Sequence, residues 1–105
     1  MSNWIDIGPH TDYPAGSRQC LRVEKTPVVV CHLDGKLTAF LDNCPHAGLP
    51  LGQGDLQGKV LVCPFHGYAF DVTCGRNIDT PTDEPLTMLP IQIHEQRVQI
   101  QTQPS

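Results

Sequence analysis

In several stretches of this chain apolar and polar positions alternate with a period of two, the spacing of a strand with one face buried and the other in water. Leu21 and Val23 alternate with Arg22 and Glu24, and residues 68–72 alternate in the same way. Thr26–Leu33 is rich in β-branched residues and nearly all apolar, as a strand covered on both faces would be. Asp34-Gly35 then joins it to residues 36–42, a strong two-residue hairpin signal. Residues 4–7 and 59–62 read as two further short strands. Only one stretch free of Gly and Pro reaches helical length, residues 91–103, and it too alternates, through Ile91, Ile93, Val98 and Ile100. His94-Glu95-Gln96-Arg97 reads as the turn of that hairpin, although it lacks a glycine. The predicted class is all-β, a small antiparallel β sandwich or barrel.

Composition adds limits. The 105 residues are expected to form a single domain, 1–105. The 9 glycines and 10 prolines are spread along the chain, so they punctuate strands and do not mark a low-complexity segment. Seven basic residues against eleven acidic ones leave a net charge of −4, the reverse of what a nucleic-acid binder carries. The longest apolar run, Val28-Val29-Val30-Cys31, is far short of the roughly 18 residues that span a bilayer. The first residues, Met1-Ser2-Asn3-Trp4-Ile5-Asp6, show neither the basic nor the apolar region of a signal peptide. No nucleic-acid partner and no membrane are expected, and the expected location is cytoplasmic.

The cysteines change the picture most. They are five, at 20, 31, 44, 63 and 74, and an odd number without a secretion signal argues against a disulfide scaffold. Five histidines in so short a chain make metal binding the first chemistry to test. Two loops carry it. The first reads Cys44-Pro45-His46-Ala47-Gly48 and the second Cys63-Pro64-Phe65-His66-Gly67. The pattern is C-x-H, sixteen residues, then C-x-x-H, with each loop following a predicted strand. Each loop offers one thiolate and one imidazole, a proline that stiffens it and a glycine that permits a tight turn. Such a set could hold one tetrahedral zinc, or two irons bridged by two sulfides with cysteines on one iron and histidines on the other. The one-residue spacing of C-x-H is tighter than the usual zinc knuckle, which favours iron and sulfide.

The stretch Cys44-Pro-His46-Ala-Gly followed by Cys63-Pro-Phe-His66-Gly-Tyr-Ala-Phe-Asp71 resembles the Rieske [2Fe–2S] family. The resemblance extends more loosely over the chain, through Leu49 and Gly54, Gly75, and Pro85-Leu86. It implies a Rieske-like antiparallel β fold with a small cluster-binding subdomain, its loops at about 43–50 and 63–70 and a covering loop at about 80–85. It implies one [2Fe–2S] cluster, with Cys44 and Cys63 on the inner iron and His46 and His66 on the outer iron. Two ferric irons, two sulfides, two thiolates and two neutral imidazoles sum to zero charge, so an electron is accepted more easily than at an all-cysteine site. The potential should therefore exceed the roughly −400 mV of plant-type ferredoxins. High-potential members carry an extra disulfide between the loops, and serine and tyrosine hydroxyls aimed at the sulfurs. Here the matching positions hold Gly48 or its neighbours and Phe65, and Tyr68 and Phe70. The expected potential is thus near the low end of the family range, about −150 mV. Histidine ligation further implies a potential that falls with pH once the oxidised imidazole titrates.

The remaining candidates have plainer readings. Cys20 and Cys31, on predicted strands, read as buried thiols acting as small hydrophobes. Cys74, beside Gly75, reads as a turn thiol open to solvent. His10, His32 and His94 read as solvated or structural, Trp4 as core or edge packing, and Asp71 as a local turn anchor. Asp79, Asp83 and Glu84 form an acidic stretch that is either a solvated face or a contact for a basic partner.

The resemblance points to a free-standing Rieske-type ferredoxin, the component that passes single electrons from a flavin-dependent NAD(P)H reductase to a terminal oxygenase acting on aromatic rings. Beyond the four ligands the chain has no room for a catalytic domain with a 2-His-1-carboxylate iron, and no dinucleotide fingerprint, so it is not itself an enzyme. Transient docking is expected near His46 and His66, over Pro45, Ala47, Leu49, Pro64 and Phe65. The alternatives are a Rieske-like small subunit of a nitrite reductase and a non-redox zinc interaction module.

Overall fold

In the computed structural model, residues 4–44, 50–64, 67–80 and 84–103 are described. Among them the strands, numbered in chain order, are β1 (Ile5–Pro9), β2 (Arg18–Val23), β3 (Thr26–Leu33), β4 (Lys36–Leu41), β5 (Asp55–Gln57), β6 (Val60–Val62), β7 (Ala69–Asp71), β8 (Met88–Leu89), β9 (Ile91–His94) and β10 (Arg97–Ile100). Among the described residues the one helical element is a single 3-10 turn, His10–Asp12. The strands form three antiparallel sheets, in the orders β1-β10-β9, β2-β3-β4-β8 and β5-β6-β7. The all-β class read from the sequence is the one observed.

The apolar run is the centre of the largest sheet. Val28, Val29, Val30 and Cys31 are all fully buried on β3, which lies between β2 and β4 and has both faces covered. Because successive side chains point to opposite faces, β3 feeds two cores. Val29 and Cys31 join Phe40, Cys44, Leu51, Leu61, Cys63, Phe70, Val72 and Leu86. Val28 and Val30 join Tyr13, Val23, Ala39, Leu89, Val98 and Ile100 on the other side. The small β5-β6-β7 sheet therefore packs on one face of the main sheet and the terminal β1-β10-β9 sheet on the other.

Turns behave as their chemistry dictates. Asp34-Gly35 closes β3 onto β4 with both residues at positive φ. Glu95 (φ 50) and Gln96 (φ 67) do the same between β9 and β10, so the hairpin forms without the glycine that would relieve its backbone. Two strands lie outside the sequence reading, β5 and β8. The first is a polar three-residue segment and the second has two residues, too short for a period to show.

Cys20 departs from its reading. It is exposed, because β2 is an edge strand and the residue facing Cys20 is Gly52, which has no side chain to cover it. Cys31 is buried and Cys74 exposed, as read. Trp4, just ahead of edge strand β1, is 37% exposed.

Candidate metal centre

The first cysteine loop begins where β4 ends. Backbone hydrogen bonds from Asp42 N–H to the Pro27 carbonyl (3.0 Å) and from Asn43 N–H to the Leu41 carbonyl (2.9 Å) hold the strand's last residues against β3 and turn the chain inward. Cys44 follows, fully buried. Beyond Pro50 the chain is gripped from the strand end. The Asp42 carboxylate oxygen Oδ1 accepts hydrogen bonds from Leu51 N–H (2.8 Å) and Gly52 N–H (2.7 Å), so one side chain closes the base of the loop from start to end. A carboxylate accepting two N–H groups makes charge-assisted bonds, stronger than neutral ones.

The second loop links β6 to β7. Cys63 N–H donates to the Tyr68 carbonyl (2.8 Å), and Gly67 N–H donates to the Cys63 carbonyl (3.0 Å). Gly67 sits at φ 74, a backbone state that favours glycine. These bonds extend the β6–β7 ladder into the loop and hold Cys63 at its mouth, 1% exposed.

Downstream, the chain returns alongside β7 and supports it. Ile78 N–H donates to the Ala69 carbonyl (2.8 Å), and Asp79 accepts from Ala69 N–H (3.0 Å). Asp79 is thus tied into the fold, whereas Ile78 beside it is 43% exposed. Asn77 is fully buried opposite Phe70, and its Oδ1 accepts Thr80 N–H (2.9 Å) where the 80–85 segment begins. Asp71 anchors its turn as read, accepting from Thr73 N–H (2.9 Å). Burial pushes the Asp71 carboxyl up, but the Thr73 hydrogen bonds and the Lys59 charge outweigh it and the net shift is downward.

The structure thus brings Cys44 and Cys63, nineteen residues apart in sequence, into one buried apolar cluster. None of the five cysteines is in a disulfide. Two water-excluded thiols on two hydrogen-bonded loops fit an iron–sulfur cluster, which takes cysteine as thiolate. His46 and His66 lie outside the described residues, as do Pro45, Ala47, Leu49, Phe65 and Asp83. Pro64 is described and exposed. The other histidines are elsewhere: His10 and His94 are exposed, and His32 Nδ1 lies 2.8 Å from the Tyr13 carbonyl.

Sequence reasoning placed Gly54 beside the first loop but missed Asp42 as a site support, and it missed why Gly52 and Gly54 must be glycines. A Cβ on Gly52 would come within 2.6 Å of Cys20 Sγ and 2.7 Å of a Val29 methyl, and one on Gly54 would collide with the Val62 carbonyl. The acidic residue two places before Cys44 was a legible signal, since short carboxylates favour bonds to nearby backbone N–H groups. The close approach at each glycine was not.

The family model for the Rieske [2Fe–2S] domain matches residues 3–93. Ferredoxin CarAc of Metapseudomonas resinovorans is 32% identical over 98 residues, covering 92% of each chain. The ferredoxin component of the naphthalene 1,2-dioxygenase/salicylate 5-hydroxylase systems of a Ralstonia species is 29% identical over 98 residues, covering 93% of this chain and 94% of its own. Among solved structures, one chain in a complex of reduced oxygenase and oxidized ferredoxin of carbazole 1,9a-dioxygenase superposes with a TM-score of 0.83 at 28% identity, covering 100% of this chain and 98% of that one. The match over nearly the whole chain, together with the two buried cysteines at the loop mouths, makes this protein a member of the Rieske [2Fe–2S] domain family, with one Rieske-type cluster as its cofactor.

Proposed function

We propose that this chain is a one-electron carrier, the ferredoxin component of a multicomponent aromatic-ring dioxygenase system, taking electrons from a flavin-dependent NAD(P)H reductase and delivering them to a terminal oxygenase. The observation that carries the reading is the pair of buried thiols, Cys44 and Cys63, placed in one apolar cluster by two separate loops. In this reading 1–105 is one Rieske domain, with cluster loops at about 43–50 and 63–70 and a covering loop at about 80–85. Cys44 and Cys63 hold the inner iron, and His46 and His66 hold the outer iron through one ring nitrogen each. The bound cluster supplies a one-electron Fe(III)/Fe(II) couple. The protein's part is to exclude water around the thiolates and to fix the two loops, through Asp42 and through the Cys63–Tyr68 and Cys63–Gly67 backbone bonds.

Both partners would dock at the loop tips around His46 and His66, where the tunnelling path is shortest. Such redox encounters bury less than about 1,200 Å² and are short-lived. The relatives named above as ferredoxin components support a carrier over a catalyst. Cytoplasmic placement is supported by five cysteines outside any disulfide. Absorption and EPR spectra of the purified protein, before and after dithionite, test the reading. A brown protein whose reduced form gives the EPR signal of mixed thiolate and imidazole ligation is expected. A colourless, EPR-silent protein holding one zinc overturns it and leaves an interaction module.

A further inference from the structure

The segment that leaves the first cysteine loop, residues 51–54, touches the supports of both loops. On one side Asp42 Oδ1 accepts its two N–H groups, from Leu51 at 2.8 Å and Gly52 at 2.7 Å. Asp42 is two residues from Cys44 and is itself tied by its backbone N–H to β3. On the other side Gly54 lies so close to β6 that any side chain would strike the carbonyl of Val62, the residue before Cys63. The segment is also closed on itself by Gly54 N–H to the Leu51 carbonyl (2.9 Å), and Arg18 Nη1 donates to the Gly54 carbonyl (2.6 Å) from β2. A continuous structural link between the two cysteines therefore runs Cys44, Asp42, residues 51–54, Val62, Cys63.

From this geometry we infer that Asp42 is a positioning residue for the cluster, setting the first cysteine loop against the second through the Leu51–Gly54 spacer. The inference rests on the reading of Cys44 and Cys63 as thiolate ligands. Three features separate this role from general stability. The two bonds go to backbone donors beyond the loop, so they constrain where the loop closes. Both are charge-assisted and converge on one oxygen, so losing it frees two N–H groups at once. And the spacer's far end abuts backbone with no side chain between to absorb a shift, so a displacement at residue 52 is passed to Val62.

Asp42→Ala and Asp42→Asn test it in the iron-loaded protein, with Arg97→Ala as control. Arg97 pairs with Asp6 at 2.9 Å across β10 and β1, away from both cysteine loops, so its loss weakens the fold alone. Three quantities are read: the rate at which visible absorbance bleaches in excess chelator, the midpoint potential, and the g values of the reduced EPR signal. Asp42→Ala is expected to bleach at least about tenfold faster than wild type, and to shift both potential and g values. Asp42→Asn keeps an acceptor oxygen without the charge, so it is expected between the two, about threefold faster. Arg97→Ala is expected to match wild type in all three. Wild-type bleaching and potential in either Asp42 variant overturn the inference, as does equal acceleration by Arg97→Ala. Should Asp42→Ala fail to fold, Asp42→Asn against the control decides. A wild-type protein lacking the mixed-ligand EPR signal defeats the ligand reading instead, before any variant is compared.

Discussion

At the scale of single residues, the five cysteines differ in fate because of what lies over each. Cys31, on β3, lies in the core shared with Leu61 and Phe70, and burial pushes its thiol up to about 11. Cys20 is raised as well, first by partial burial and then by the Asp42 charge, and Gln53 Nε2 lies 3.4 Å from its sulfur. Cys74 is exposed in a turn. Since the thiolate is the reactive form, alkylation of the folded, iron-loaded protein at pH 8 is expected to be fastest at Cys74, slower at Cys20 and absent at Cys31. Cys31 combines a raised thiol with full burial, so it should label only on unfolding. Mass mapping after timed labelling checks the order, and early modification of Cys31 would contradict it.

At the scale of elements, a buried polar contact amid apolar ones joins the main sheet to the β5-β6-β7 sheet. Thr38 Oγ1 on β4 donates to the Val72 carbonyl just past β7, at 2.9 Å. Thr38→Val keeps the shape and removes the donor. The expected cost is about 1 kcal/mol, rising to about 3 kcal/mol if the carbonyl is left unpaired. Chemical denaturation of the apo chain measures it, and a stability equal to wild type would show that the contact is idle. How legible each element was depends on what specifies it. β3 was readable because burial on both faces leaves an unbroken apolar run, and the 95–96 turn because alternation resumes on either side of it. β5 was not, since Asp55 and Gln57 are exposed and the strand exists through pairing with β6. Of the candidate site, the pairing of Cys44 with Cys63 was legible from motif spacing, and the fold brings both into one buried cluster. The Asp42 bonds and the Gly54 contact were not, because they depend on where distant backbone passes.

At the scale of the molecule, the buried neighbours of the cysteines bear on the redox set-point. Phe70, at a position that the family resemblance matches to a hydroxyl-bearing residue of high-potential members, is fully buried in the same apolar cluster as Cys44 and Cys63 and carries no donor. The midpoint is therefore expected near about −150 mV, and a value above roughly +100 mV by redox titration would contradict this. The fold also has two sides with different duties. β1 pairs with β10 and is pinned there by the Asp6–Arg97 ion pair, which burial opposes little and which holds the Asp6 carboxyl below its ordinary range. The two strands lie over the core that contains neither Cys44 nor Cys63. A tether attached ahead of β1 or after β10 would thus leave from the side away from the cysteine loops, so the carrier could be leashed at either end to a reductase, or to an electrode, without the tether crossing those loops.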